Sequence, residues 1–186
     1  MAEDESKALL HTCCAPCASA CIPRLRAQGF KVVLFFANSN IDTREEFERR
    51  RAEVEKLAAI DGVEAVFDAY DHADWLKRVA AGFEDAPEKG ERCARCFRYN
   101  LARTEAYARA HGFPAFTTTL TVSPHKVSAI IFASSDAPEF LKEDFKKQDG
   151  FLKSVRRAEE LGLYRQAYCG CEFSKKGQHG TQRERH

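Results

Sequence analysis

Residues 7–36 read KALLHTCCAPCASACIPRLRAQGFKVVLFF. The last six, Lys31 to Phe36, are apolar, β-branched and aromatic almost throughout, the composition of a strand covered on both faces. Lys7 to His11 is a shorter strand of the same kind. Between them the chain reads as a helix from Pro16 to about Gln28, and Gly29 stands where a helix C′ residue belongs. Strand, helix, strand in this length is a parallel βαβ unit.

The pattern continues outward from that unit. Asn38-Ser39-Asn40 is a turn. Thr43 opens a helix, with Glu46 completing a capping box and Phe47, Val54, Leu57 and Ala58 at helical spacing. Ala65 to Asp68 is a third short strand and Ala73 to Ala80 a short helix. Residues 81–92 (AGFEDAPEKGER) form a polar loop of a length that is often functional. A helix is expected from Cys96 to about His111, a fourth strand over Ala115 to Leu120, and a helix over Pro124 to Ser134 capped by Ser123. Asp144 to Asp149 is a charged connector, and Leu152 to Leu161 a last helix ended by Gly162. Alternating strands and helices predict a doubly wound parallel α/β sheet, whose ligands sit at the carboxyl ends of the strands. The expected division is one domain over residues 1–174 and a polar, basic, disordered tail over 175–186.

Composition narrows the function. A chain of 186 residues with 44% hydrophobic residues supports a core without disulfides. The net charge is +1, with an excess of basic residues from Lys142 onward, compatible with a nucleic-acid contact but far from a basic DNA-binding domain. The acidic start, Met-Ala-Glu-Asp-Glu-Ser, is not a signal peptide, and no run of 18 apolar residues occurs. A cytoplasmic protein with no membrane contact is expected. No phosphate loop or G-x-G-x-x-G is present, so nucleotide hydrolysis and nicotinamide-linked hydride transfer have no support.

The eight cysteines fall into three separated groups: Cys13, Cys14, Cys17 and Cys21; Cys93 and Cys96; Cys169 and Cys171. In a reducing compartment such grouping points to metal or redox chemistry. Two thiol pairs at helix starts, Cys13-Cys14 and Cys93-x-x-Cys96, supply four thiolates, which suits zinc or an iron–sulfur cluster. Adjacent cysteines wrap one small ion poorly, which favours the cluster. Cys169-Gly170-Cys171 is a different device: a disulfide across it closes a strained, labile, redox-active ring. Cys17 is a ligand or a core residue, and Cys21 a small buried hydrophobe. His11 is a hydrogen-bond partner of sulfur, a ligand or a core histidine. His125 and Lys126 suit an anion or a proton-transfer role, Arg165 with Tyr164 and Tyr168 a stacked base, and Lys146 with Lys147 a phosphate, each against a plain packing or surface role.

The motifs His11-Thr-Cys-Cys-Ala-Pro-Cys17, Arg92-Cys-x-x-Cys-Phe97, Thr117 to Lys126 (TTTLTVSPHK), Asp144-Phe-Lys-Lys147 and Tyr164 to Cys171 (YRQAYCGC) together resemble the cobalamin-independent epoxyqueuosine reductase (QueH) family over about Leu9 to Ser174. The resemblance implies a Rossmann-like parallel sheet with helices on both faces, similar to the adenine-nucleotide alpha-hydrolase superfamily. It implies reduction of epoxyqueuosine in tRNA to queuosine, the last step of queuosine biosynthesis, with an electron donor still to be identified. It also implies a [4Fe-4S] cluster associated with Cys13, Cys14, Cys93 and Cys96, and a second, mononuclear iron for which Cys17 is a candidate ligand. Cys169 and Cys171 match a redox-active pair, and His125 is the expected proton-transfer residue. The alternative is a zinc-stabilised RNA-binding module without redox activity. A tRNA-thiolating enzyme on a similar fold would need a phosphate loop after the first strand, which His11-Thr-Cys-Cys-Ala-Pro16 lacks.

Overall fold

The structure, a computed structural model, describes residues 6–175. Four strands, β1 (Lys7–His11), β2 (Lys31–Phe36), β3 (Glu64–Phe67) and β4 (Ala115–Thr118), form one sheet in the order β3-β2-β1-β4. All pairings are parallel, with Leu9 opposite Val33 and Phe116, and Leu34 opposite Ala65. Strand residues alternate between two cores. Leu10, Val32, Leu34 and Phe36 meet α1 (Ala15–Ala27), α2 (Arg44–Asp61) and α6 (Gly150–Glu160) on one face. Leu9, Val33, Phe35 and Phe116 meet α4 (Glu91–Ala110) and α5 (Ser128–Phe132) on the other. The sheet is therefore covered on both sides, which is why its strands tolerate no polar alternation. This is the doubly wound α/β architecture that the strand–helix alternation predicts.

Local signals behave as their chemistry requires. Thr43 Oγ1 accepts the amide of Glu46 at 3.2 Å. The reciprocal half of the expected capping box is absent among the described residues, because the Glu46 carboxylate is bound to Arg50 Nε at 2.7 Å and to Tyr164 Oη at 3.2 Å. Gly29 takes φ +86° after α1, a left-handed turn that glycine enters freely. The short helix expected at Ala73 divides into α3 (His72–Trp75) and a π-helical turn, Leu76–Ala80.

Besides that division and the start of α4 at Glu91, five residues before the expected Cys96, two elements depart from expectation. β4 stops at Thr118 and becomes a 3₁₀ turn, Thr119–Val122, because Thr118 Oγ1 takes the amide of Leu120 at 3.1 Å. The helix expected over Pro124 to Ser134 shrinks to α5, Ser128–Phe132. Lys146 is the cause: its ammonium donates to the carbonyls of Thr121 (3.2 Å) and Lys126 (2.9 Å) and to Ser128 Oγ (2.6 Å). Those carbonyls are held by the lysine and the loop stays open. Lys146 is thus a staple for this loop, not a phosphate ligand. Of the basic tail, Lys175 lies among the described residues and is ion-paired with Asp42 at 2.6 Å; the remainder lies outside them.

The sheet order reverses between β1 and β4. In open parallel sheets the crevice at such a reversal, beyond the strands' carboxyl ends, is where ligands bind.

Candidate metal centre

That crevice is a cavity of about 520 Å³. Six of the eight cysteines line it: Cys13, Cys14, Cys17, Cys93, Cys96 and Cys169. Each arrives by a different route. Cys13 and Cys14 end the turn after β1, where alternation of side chains no longer applies. Pro16 sits in the first turn of α1, and Cys14 is the residue before that helix. Cys93 and Cys96 lie in the first turns of α4, which starts at the strands' carboxyl rim because it runs back toward the start of β4. Cys169 is delivered by the segment after α6.

The sulfurs of Cys13, Cys14 and Cys17 lie within 4.8 Å of one another. Their protons are shared unequally. Hydrogen bonds from Cys13, Cys17 and the Gln166 side chain hold the Cys14 thiol well below its ordinary pKa. The contact with Cys14 raises Cys13 against a lowering contact from Cys17, and the contacts with Cys13 and Cys14 push Cys17 well up. Free N–H groups at the start of α1 also favour a thiolate there. Cys14 is the first of the three to ionise, and loading a metal releases the other protons. Burial pushes Cys93 up and Cys96 well up.

Every ligand-grade sulfur but one has a donor aimed at it. Thr119 Oγ1 donates to Cys13 Sγ at 3.1 Å and the Lys89 amide to Cys93 Sγ at 3.3 Å. Asn100 Nδ2 lies 3.8 Å from Cys96 Sγ, and the buried Trp75 ring packs beside that cysteine. Trp75 Nε1 has no oxygen or nitrogen partner among the described residues, and neither does the buried Asn100 Oδ1. Donors of this kind around clustered thiolates are what an iron–sulfur or zinc centre requires of its surroundings. The donor set and the cavity fit a thiolate-bound metal group.

Lys126 carries the balancing charge. Burial disfavours its ammonium, but the sulfurs of Cys169, Cys13, Cys17 and Cys14 outweigh burial and raise its pKa. His125 stands beside it, exposed on the cavity wall.

Of the other sequence-marked residues, some lie in the core, and Tyr168 and Arg165 lie on the cavity wall. Cys21 is fully buried in the core. His11 is a core histidine: Nε2 donates to the Ala37 carbonyl (3.2 Å) and Nδ1 accepts from Thr118 Oγ1 (2.8 Å), leaving neither nitrogen for a metal. Tyr164 and Tyr168 are occupied by packing, with Arg49 over the first ring at 3.6 Å and Asp42 accepting from the second hydroxyl at 2.8 Å. Arg165 is exposed and lines the cavity. The expected Cys169–Cys171 disulfide is not formed, and both are free thiols. The physical reason is their separate surroundings: Cys169 faces the cavity, whereas Cys171 packs against the Trp75 and Phe173 cluster.

Arg50 is a further functional residue, fixing the loop that carries Cys169. It is 2% exposed, and donates to the carbonyls of Cys169 (2.9 Å) and Tyr168 (3.3 Å). Gly170 completes the docking. Its carbonyl accepts the Asp42 amide at 2.9 Å, and a Cβ there would lie 3.0 Å from Asn40 Nδ2 at φ +147°. Arg92 does the same for residues 81–90, donating to the carbonyls of Phe83, Glu84 and Ala86. A sequence signal existed for Arg50: it falls in the stripe Phe47, Arg50, Val54, Leu57, at helical spacing in the buried face of α2.

A doubly wound α/β chain with clustered thiols at its switch point is a thiolate-centred member of the Rossmann-like class. The chain belongs to the epoxyqueuosine reductase QueH family, whose sequence profile matches residues 8–177. The epoxyqueuosine reductase QueH of Streptococcus pyogenes is 37% identical over 182 residues, spanning 91% of this chain and 71% of that protein. The protein of the same name from Thermotoga maritima is 35% identical over 174 residues, spanning 89% and 88%. That of Haemophilus influenzae is 32% identical over 179 residues. No helix among the described residues is long and apolar enough to cross a membrane.

Proposed function

We propose that this protein reduces epoxyqueuosine to queuosine in tRNA, with a [4Fe-4S] cluster held by Cys13, Cys14, Cys93 and Cys96 and a second iron near Cys17. The observation that carries this reading is the meeting of six thiols from three distant segments on one cavity, in a chain of this family. When bound, the cluster would relay electrons one at a time and the second iron would supply Lewis acidity.

The chain's own residues account for the remainder. Turning an epoxide into an alkene consumes two electrons and two protons and releases water. Cys169 and Cys171 together hold two electrons and two protons as dithiols and release both on forming a disulfide. Their free, Gly-hinged thiols are the form that reduction consumes, and an external donor restores it. His125, on the cavity wall, delivers a proton to the departing oxygen. Lys126 keeps the thiolate-rich wall from repelling an electron-rich substrate. Arg50 and Gly170 hold the Cys169 loop against the cavity.

The test is anaerobic reconstitution with iron and sulfide, followed by turnover of epoxyqueuosine-containing tRNA. Iron content and turnover are expected to fall together in Cys13→Ser and Cys93→Ser. A fully loaded protein that is inert under strong reductant defeats the proposal. Colourless protein that retains zinc after anaerobic purification supports the zinc-stabilised RNA-binding module instead. Full activity in Cys169→Ser removes the dithiol from the scheme.

A further inference from the structure

Helix α6 has two different faces. Phe151 and Ser154, three residues apart, line the thiol cavity. Lys153 and Arg156, each two residues further on and so about 200° around the helix, line a second cavity of about 530 Å³ whose far wall is α1. Five cations, Arg24, Lys147, Lys153, Arg156 and Arg157, face one acid, Glu160, in that second cavity. Two of the cations are already committed: Arg24 to Glu143 and Arg157 to Asp61. Lys147, Lys153 and Arg156 are exposed and form no ion pair among the described residues. One lip of the first cavity, by contrast, is apolar, with Val127, Ile130 and Phe151 exposed along it, while Lys89, His125 and Arg165 are exposed elsewhere on its rim.

An apolar lip and a cationic groove on either side of one helix match the two chemistries of a single RNA strand, bases on one side and phosphates on the other. We propose that the groove between α1 and α6 is a phosphate-binding site for the RNA backbone flanking the nucleotide in the thiol cavity, with Lys147, Lys153 and Arg156 making the contacts. The inference rests on the tRNA reading above, but its test involves no turnover.

A fluorescently labelled, unmodified anticodon stem-loop is titrated with the full chain by anisotropy over a range of salt. The charge-reversed variant Lys147→Glu/Lys153→Glu/Arg156→Glu is expected to bind at least about tenfold more weakly at low salt. Its dependence of log K on log salt should flatten by about 2, as loss of three single-strand phosphate contacts requires. A control with equal charge change, Lys7→Glu/Lys31→Glu/Lys77→Glu, should keep most of the affinity, since none of the three lines either cavity and Lys7 and Lys31 lie at the amino ends of the strands. The triple alanine variant guards against misfolding and should show an intermediate loss with an unchanged melting temperature. Equal losses in the groove and control variants, or an unchanged salt slope, overturn the inference. Binding to anionic lipid vesicles in place of RNA overturns it too. Failure of the reductase reading would leave these binding results standing, so the two are separable.

Discussion

Arg50→Met should loosen the Cys169 loop measurably. The guanidinium is 2% exposed and forms an ion pair with Glu46, whose side chain is 11% exposed. Removing one partner of a buried pair costs about 3–5 kcal/mol. The lower end applies, because Glu46 still accepts from Tyr164 Oη at 3.2 Å. The carbonyls of Tyr168 and Cys169 also lose charged donors, but Cys169 is exposed and water replaces most of that bond. The sum is about 3 kcal/mol, with methionine filling much of the vacated volume. Part of the loss is local, since Arg50 ties the loop down from below. The reporter is the Asp42 amide, which donates to the Gly170 carbonyl at 2.9 Å only while the loop is docked. A local share of about half, about 1.5 kcal/mol, speeds its hydrogen exchange about tenfold, and the full 3 kcal/mol sets a ceiling of about 100-fold, at 1.4 kcal/mol per decade. Denaturant unfolding gives the global part. Exchange within about threefold of wild type, with stability within about 0.5 kcal/mol, would refute the assignment of Arg50 as the clamp.

Gly150→Ala places a Cβ 1.6 Å from the Phe145 carbonyl oxygen, so backbone must move; a loss of about 2–3 kcal/mol, or about 5–10 °C in melting temperature, is expected by calorimetry. Tyr168, pushed up to about 12 first by burial and then by Asp42, should be among the last phenols to ionise. An unfolded tyrosine ionises near 10, so this residue's contribution to stability is complete below that pH and is lost as pH rises toward 12. Tyr168→Phe should therefore remove the late step of the tyrosinate absorbance titration. Cys21→Ala should retain wild-type iron on reconstitution while losing about 1 kcal/mol of stability, because burial keeps that thiol neutral and in the core; iron loss equal to that of Cys13→Ser would return Cys21 to the ligand set.

The sequence displayed strands and helices clearly where one physical demand dominated. Val32 to Phe36 is buried on both faces, and its length and its β-branched and aromatic residues favour a strand over a helix. The thiol rim was legible for a related reason: polar and sulfur residues follow strands whose carboxyl ends face one crevice. Pro124 to Ser134 misled because Lys146, some twenty residues on, takes carbonyls that helix propensity would assign to the loop itself. Among the arginines of α2, charge alone does not distinguish Arg50; only its place in the buried stripe with Phe47, Val54 and Leu57 marks it as the one that turns inward. The open disulfide was likewise invisible, because spacing gives proximity along the chain but not the hydrophobic cluster that draws Cys171 aside.

Thiols from the loop after β1, the start of α4 and the last segment line one cavity while being separated by about 75 residues of chain at each step. A metal group held by the first two sets would act as a cross-link closing a ring of that size, worth about 4 kcal/mol in restricted unfolded states. It would join the two halves of the doubly wound sheet at their seam. Oxidative damage to the centre would then reach the fold as well as the chemistry, and thermal resistance would become a gauge of the integrity of the centre.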